Sequence, residues 1–338
     1  MIKIIQYKML ILICSLFFSI SLFTCLFLSC SKKEVETKGI ILGYSQIGAE
    51  SAWRNCNTRS VQEAASEAGI QLLFFNAEQK QENQIKAIRS FIAYQVDVIA
   101  FVPIVSDGWE NVLMEARDAN IPVLICDREI NIKEESLYAG YLGTDSFKQG
   151  RSSGEYLVKK FINPDTGRLL EDGRKNVRIV ELRGTEGSSP EILRAQGFRD
   201  ALAGFSVFEI IYSKSGDFLR SKGYELMCNI LNEFQDIDVI YSHNDGMTLG
   251  ALDAMKEWGI NPGKDIIIIS IDAEQAAINA LKRGEINCVV ECNPKQGPEV
   301  MRLARLLARK ESIPRVIFMK EEVFTEWDDL SNIAPRGY

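Results

Sequence analysis

In this 338-residue chain, charged and aromatic side chains recur directly after short apolar runs. Ser45 and Glu50, then Trp53-Arg54, follow the run Ile40–Ser45, and Asp127-Arg128 follows Pro122–Cys126. Gly184-Thr185-Glu186-Gly187 and Arg194 come after Val177–Leu182, and Phe218 comes after Ser215-Gly216-Asp217. His243-Asn244-Asp245 follows Val239–Ser242, Asp272 closes an isoleucine-rich run, and Glu291 ends Cys288–Glu291. This set mixes Arg, Asn, carboxylates and aromatic rings, and it lacks an activated nucleophile. Planar Arg, Asp and Asn groups each engage two adjacent hydroxyls, while the apolar C–H face of a ring packs on aromatic side chains. The chemistry suits a neutral polyol. A buried polar group left unpaired costs about 1–3 kcal/mol, so such a site rejects misplaced hydroxyls.

Each of these residues also has a plainer reading. Asp127-Arg128 also reads as an ion pair at a strand end, Trp53 or Phe218 as core, and Asn244-Asp245 as the cap of a helix starting near Met247. Gly184-x-x-Gly187 lacks the third glycine and the Lys-Ser/Thr ending of a phosphate loop. Lys320-Glu321-Glu322, with Glu326, Asp328 and Asp329 beyond, follows no metal-ligand pattern and reads as solvated surface. The chain has a single histidine, His243. That disfavours a His-dependent triad or a multi-His metal site, and His243 reads as a structural neighbour of the site. Neither a metal nor a cofactor is expected.

The elements that must position these residues alternate. Strand-like runs are Ile40–Ser45, Gln71–Asn76, Val98–Val102 and Pro122–Cys126, then Val177–Leu182, Glu209–Ser213, Val239–Ser242, Ile266–Ile271 and Cys288–Glu291. They are nearly continuous in Ile, Val, Leu and Phe, as expected of strands covered on both faces. Between them lie helix patterns over Thr58–Ala68, Glu82–Tyr94, Trp109–Ala119, Gly150–Phe161, Pro190–Leu202, Leu219–Asn232, Met247–Trp258 and Gly297–Lys310. Alternation of this kind gives an α/β fold with βαβ units and parallel sheets, in one large sheet or two smaller ones. In such sheets ligands bind beyond the carboxyl ends of the strands, which is where the polar set falls. Residues 163–175 read as a surface loop, and the absence of a flexible linker implies that the chain crosses between lobes more than once.

Composition is that of a globular protein: 46% hydrophobic, 25% charged, formal net charge −7. The negative balance offers no cationic footprint for nucleic acid. The first 30 residues stand apart. Lys3 and Lys8 precede Met9–Leu28, an uncharged stretch, which ends in Leu28-Ser29-Cys30 before the polar Ser31-Lys32-Lys33-Glu34. This reads as an export signal over 1–30, and a cysteine after a small residue resembles a bacterial lipobox with Cys30 lipidated, although Phe27 stands three before it. An uncleaved transmembrane anchor is the alternative. Either places the rest of the chain in the periplasm or on the outer cell surface. Of the later cysteines, Cys56, Cys126, Cys228, Cys288 and Cys292 form no CxxC pair, so neither a zinc ribbon nor a disulfide framework is indicated.

The strand-end residues resemble those of the type I periplasmic sugar-binding proteins, the ribose- and galactose-binding family, across Ile40 to Tyr338. The marks are Asp127-Arg128, Gly184-x-x-Gly187 with Arg194 before Gly197-Phe198, Gly216-Asp217-Phe218, Asn244-Asp245 with Met247 and Gly250-Ala251, and Asp272. Ser45-Gln46-x-Gly48-x-Glu50-Ser51-x-Trp53-Arg54, Gln79–Ala87, Gly108-Trp109-Glu110 and Ser215–Gly223 look like the galactofuranose-binding branch of that family. Trp53-Arg54 replaces the phenylalanine pair usual in ribose binders, and Cys292 stands where many relatives place an amide. The resemblance implies two Rossmann-like lobes joined by a three-crossing hinge: lobe 1 over 39–145 and 292–319, lobe 2 over 146–291 and 320–338. It further implies that Asp127, Arg128, Arg194, Asn244 and Asp272 hydrogen-bond a sugar on which Phe218 stacks. Ser45, Glu50, Trp53, Arg54 and Glu291 complete the candidate set.

The function implied is a lipid-anchored, monomeric solute-binding protein that delivers a galactofuranose-like monosaccharide to an ABC permease. The alternative is a sensor that presents sugar or a signal molecule to a membrane receptor, for which no receptor module follows Tyr338. A repressor core shares the fold, but an export signal occupies the place of its DNA-binding helices. A sugar hydrolase would need a protonated acid among Asp127, Asp272 and Glu291, and the surrounding arginines hold carboxylates ionised.

Overall fold

A computed structural model describes residues 39–170 and 175–338. The export segment, Cys30 and part of the 163–175 loop lie outside the described residues. In chain order the first elements are β1 (Ile41–Gln46), α1 (Ala52–Ala68), β2 (Gln71–Asn76), α2 (Gln81–Tyr94), β3 (Val98–Phe101), α3 (Glu110–Asp118), β4 (Val123–Asp127) and β5 (Gly140–Gly143). There follow α4 (Ser146–Phe161), β6 (Val177–Arg183), α5 (Ser189–Leu202), β7 (Phe208–Ser215), α6 (Arg220–Glu233), β8 (Val239–Ser242), α7 (Asp245–Glu257) and β9 (Ile267–Asp272). The chain ends with α8 (Gln275–Lys282), β10 (Cys288–Glu291), α9 (Gly297–Ala308), β11 (Val316–Phe318) and β12 (Val323–Thr325).

The question of one sheet or two is resolved as two six-stranded sheets, ordered β11-β5-β4-β3-β1-β2 and β12-β10-β9-β8-β6-β7. Each is doubly wound, so the strand order reverses beside β1 in one and beside β6 in the other. All pairings are parallel except β10 with β12. Both faces of each sheet are covered, which is why the strand sequences lack alternation. On the first sheet, Val61, Ala64 and Ala65 of α1 pack with Val300, Met301 and Leu303 of α9. Its opposite face holds Ile88 and Phe91 of α2 with Val112 and Leu113 of α3. The second sheet is sandwiched in the same way by α6, α7 and α8 on one side and α4 and α5 on the other.

The chain passes between the sheets at three places: after β5, after β10, and between β11 and β12. Met319 N donates to Gly143 O, Glu291 N to Glu322 O, and Asn293 N to Glu321 Oε1, so the three passages are hydrogen-bonded together. The sequence patterns did not reveal β5, β11, β12 or α8. Gly-Tyr-Leu-Gly in β5 is short and carries no β-branched residue, and β11 and β12 have only three residues each. α1 begins six residues before the expected Thr58, because Ser51 Oγ accepts the Arg54 N–H and caps the helix there. No helix among the described residues is long and apolar enough to cross a membrane.

One helix pair bears directly on the site. Gly150 of α4 and Gly197 of α5 let the two backbones touch: a Cβ on Gly150 would lie 2.0 Å from Arg194 O, and one on Gly197 would lie 2.0 Å from Phe147 O. Gly150→Ala is therefore expected to destabilise by about 1–3 kcal/mol through overpacking. The change would be read as a lower urea midpoint with an unchanged slope.

Candidate functional site

The carboxyl ends of both sheets face each other across a cavity whose wall is built by residues of both. On the first-sheet side the cap of α1 sets the geometry. Glu50 precedes Ser51, and the first turn of α1 carries Trp53 and Arg54 onto the cavity wall. Arg54 Nε donates to Glu50 Oε1 (3.1 Å) and its Nη2 to Asp127 Oδ2 (2.6 Å), all three side chains being buried. Burial disfavours the guanidinium, but Asp127 and Glu50 outweigh it and hold Arg54 above its ordinary value. Arg128 lies 3.6 Å from Glu50 and donates to Ile104 O. Its burial and the nearby Arg54 push it down to about 10, still cationic at neutral pH.

On the second-sheet side, α5 begins with Ser188 as its cap and Pro190 in its first turn, and it carries Arg194 at the next turn. Arg194 donates to Gln149 Oε1 (2.9 Å) and His243 O (2.5 Å) and lies 3.9 Å from Asp272. Burial pushes the Asp272 carboxyl upward, and Arg194 opposes that. Asn244 serves twice: its Oδ1 accepts from Met247 N to cap α7, and its Nδ2 donates to Phe218 O. The capping reading of Asn244 is correct, and Asn244 lines the cavity as well.

Three wall residues depart from ordinary backbone. Asp127 has φ 61°, Phe218 φ 62° and Asp272 φ 130°, each in the region that non-glycine residues avoid. Asp127 and Asp272 are the last residues of β4 and β9, where an ordinary strand conformation would carry the side chain along the sheet face. Such strain persists where surrounding structure over-determines it, and it concentrates at ligand sites. The Phe218 ring lies near two cations, its centroid 5.3 Å from the Arg128 guanidinium carbon and 6.0 Å from that of Arg194. The two halves also touch directly. Trp53 N donates to Glu274 Oε1, Ser106 N to Gly187 O, and Glu129 N to Ser189 Oγ.

Comparison with known proteins agrees with this geometry. Residues 42–312 match the periplasmic binding protein domain family. The chain belongs to that family. It is 43% identical over 263 residues to the galactofuranose-binding protein YtfQ of Escherichia coli (strain K12), covering 77% of this chain and 79% of that one. A crystal structure from Mycobacterium smegmatis in complex with β-D-fucofuranose shares 40% identity and a TM-score of 0.81, covering 85% and 92% of the two chains. The periplasmic binding protein component of the arabinose ABC transporter from Shewanella sp. ANA-3, bound to α- and β-L-arabinofuranose, shares 38% identity and a TM-score of 0.78 over 85% and 92%. The two sheets are thus the type I periplasmic binding protein fold, and the relatives are substrate-binding proteins rather than enzymes.

Within this family fold, Glu50, Trp53, Arg54, Asp127, Arg128, Arg194, Phe218, Asn244 and Asp272 all reach the cavity wall. Two candidates do not. Ser45 lies inside β1 rather than beyond it, fully buried and paired in register with Phe75 and Phe101 of the flanking strands. Glu291 is turned toward the chain passages, where one oxygen pairs with the Arg336 guanidinium and the other accepts from Glu322 N. Ser51, Thr144, Pro190 and Cys292 line the wall without having been singled out as ligands. Ser51 and Pro190 carry helix-start signals, and Thr144 follows β5, whose strand character the sequence hides. Cys292 holds Trp53 in place, accepting from the indole Nε1 at 2.5 Å through its carbonyl. The five cysteines among the described residues are free.

Removing Arg54 would take the hydrogen-bonded cation from buried Asp127 and leave Glu50 only the more distant Arg128. Arg54→Met is therefore expected to cost about 3–5 kcal/mol of stability, measured by chemical unfolding. A change under 1 kcal/mol would show that water reaches Glu50 and Asp127.

Proposed function

We propose that this chain is the extracytoplasmic sugar-binding component of an ABC importer, taking a galactofuranose-like monosaccharide in the cleft between two halves that close upon it. The observation that carries the reading is the pairing of charged groups in the cleft wall. Arg54 and Arg128 stand against Glu50 and Asp127, and Arg194 stands beside Asp272, whose carboxyl burial pushes upward. Each cation thus has an acidic neighbour, and the wall offers donors and acceptors suited to an uncharged ligand. Within it, Glu50 Oε2 and Arg128 Nε are buried without a hydrogen-bond partner. One is an acceptor and the other a donor, as adjacent sugar hydroxyls require. The Phe218 and Trp53 rings supply apolar faces beside them. The furanose assignment is supported by the names of the relatives above, which bind galactofuranose, fucofuranose and arabinofuranose.

The lobes are 39–145 with 292–319 and 146–291 with 320–338, and the three passages between the sheets form the hinge. Contacts such as Trp53 N to Glu274 exist only when both lobes meet, so sugar that touches both walls stabilises the closed form. Export through the signal over 1–30 and lipidation at Cys30 tether the protein, as a monomer, to the membrane that holds its permease. The importing chemistry belongs to that permease and its ATPase.

Calorimetric titration of residues 31–338 tests the reading, with equilibrated D-galactose, L-arabinose, D-ribose and D-glucose as the panel. Binding near micromolar, about −8 kcal/mol, by sugars that populate furanose forms and none by glucose is the expected result. Silence across the panel would overturn the sugar assignment. Arg128→Ala should abolish measurable binding while the fold persists, and Trp53→Ala should weaken binding by about 1–3 kcal/mol. Unchanged affinity in Arg128→Ala would move the ligand out of this cleft.

A further inference from the structure

Beneath the second-sheet wall of the cleft lies a buried polar network that has no place on the wall itself. His243, the single histidine of the chain, is fully buried directly after β8. Its Nε2 lies 3.2 Å from Glu181 Oε1, and its Nδ1 lies 3.5 Å from the Gly184 backbone nitrogen. Glu181, on β6, is also fully buried. It accepts from Arg199 through both oxygens (3.0 and 2.6 Å) and from Ser213 Oγ (2.6 Å). Burial works against its negative charge, yet His243, Arg199 and Ser213 together hold the carboxyl far below its ordinary range.

These neighbours leave His243 one arrangement. An ionised carboxylate only accepts, so Nε2 carries the proton; a backbone N–H only donates, so Nδ1 is bare. The ring is neutral. Its burial, with Arg194 of α5 and Arg183 of β6, lowers its pKa below 6.5 against the pull of Glu181. Tyr241, on β8, lies beside the ring at 5.0 Å and donates its hydroxyl to Arg194 O.

Two residues of the cleft wall hang on this histidine. Its carbonyl accepts the Arg194 guanidinium at 2.5 Å. Its Nδ1 anchors Gly184, whose bare Cα is pressed against Phe218; a Cβ there would lie 1.9 Å from Phe218 Cζ. We propose that neutral His243, held between Glu181 and Gly184, is a positioning residue that sets Phe218 for the sugar through Gly184, and that protonating its ring loosens that contact. The role rests on the sugar-binding reading above. Protonation makes Nδ1 a donor facing the Gly184 N–H, which breaks that anchor. Sugar affinity is then full above the ring's pKa and falls as pH drops through it, by about tenfold per pH unit for one linked proton.

Two measurements on protein purified without a histidine tag decide it. Long-range proton–nitrogen NMR of the single imidazole should show the neutral Nε2–H tautomer at pH 7; an Nδ1–H tautomer or an imidazolium there would overturn the proposal. Titration with equilibrated D-galactose from pH 7.5 to 4.5 should then show an acid loss of affinity in the unaltered protein. In His243→Asn, whose side-chain oxygen accepts from Gly184 without titrating, that histidine-linked loss should be missing. Identical profiles in the two proteins would rule the role out, because cleft carboxylates common to both would then account for the whole acid limb. Absence of galactose binding by the unaltered protein at pH 7.5 would instead sink the functional reading, and with it the positioning role, whichever tautomer the imidazole shows.

Discussion

The rest of this structure depends on keeping three guanidinium groups charged in a space almost closed to water. A buried, unpaired cation costs several kcal/mol, and the effective penalty is repaid only by well-placed acceptors. Arg54 has Glu50 and Asp127 at hydrogen-bond distance, and Arg194 has Gln149, the His243 carbonyl and, farther off, Asp272. Arg128 is the least compensated of the three, with Ile104 O and a more distant Glu50, and its depressed pKa records that. The cleft is therefore a set of pairings with spare capacity left at defined atoms. That spare capacity is what a neutral, hydroxyl-rich ligand can use.

The scaffold serves this requirement through its strand ends and helix starts. Doubly wound sheets bring carboxyl ends of strands together at the switch in strand order, and two such sheets facing each other give a wall on either side. The left-handed backbone at Asp127, Phe218 and Asp272 turns side chains at those ends into the cleft. Close backbone contact at Gly150 and Gly197 fixes α5, and hence Arg194, against α4. The three chain passages, bonded to one another, allow two rigid sheets to be related by few bonds. Such an arrangement suits hinge closure better than shear.

Much of this was legible in the chain itself. Continuous Ile and Val runs announced strands covered on both faces, and the alternation with helical patterns announced parallel sheets. Reading the polar residues just past each run located nine wall residues, because in a parallel sheet that position is geometrically the strand exit. The same rule misplaced Ser45, since β1 runs one residue further than its apolar pattern, and it misplaced Glu291, which Arg336 from the far C-terminus draws away. Thr144 stayed hidden because the strand before it has too few residues and too little β-branching to register.

By itself the sequence determined the fold class, the residue types at each strand exit, and the family to which the chain belongs. Those depend on local periodicity and on short motifs, which act within a few residues. The tertiary structure alone decided which exits face one another, which atoms remain unpartnered, and which groups surround the His243 ring. Glu181 and Gly184 flank His243 in space but lie 62 and 59 positions away along the chain. Charge pairing and hydrogen bonding act over a few ångströms in space, so only the folded chain brings such partners within range.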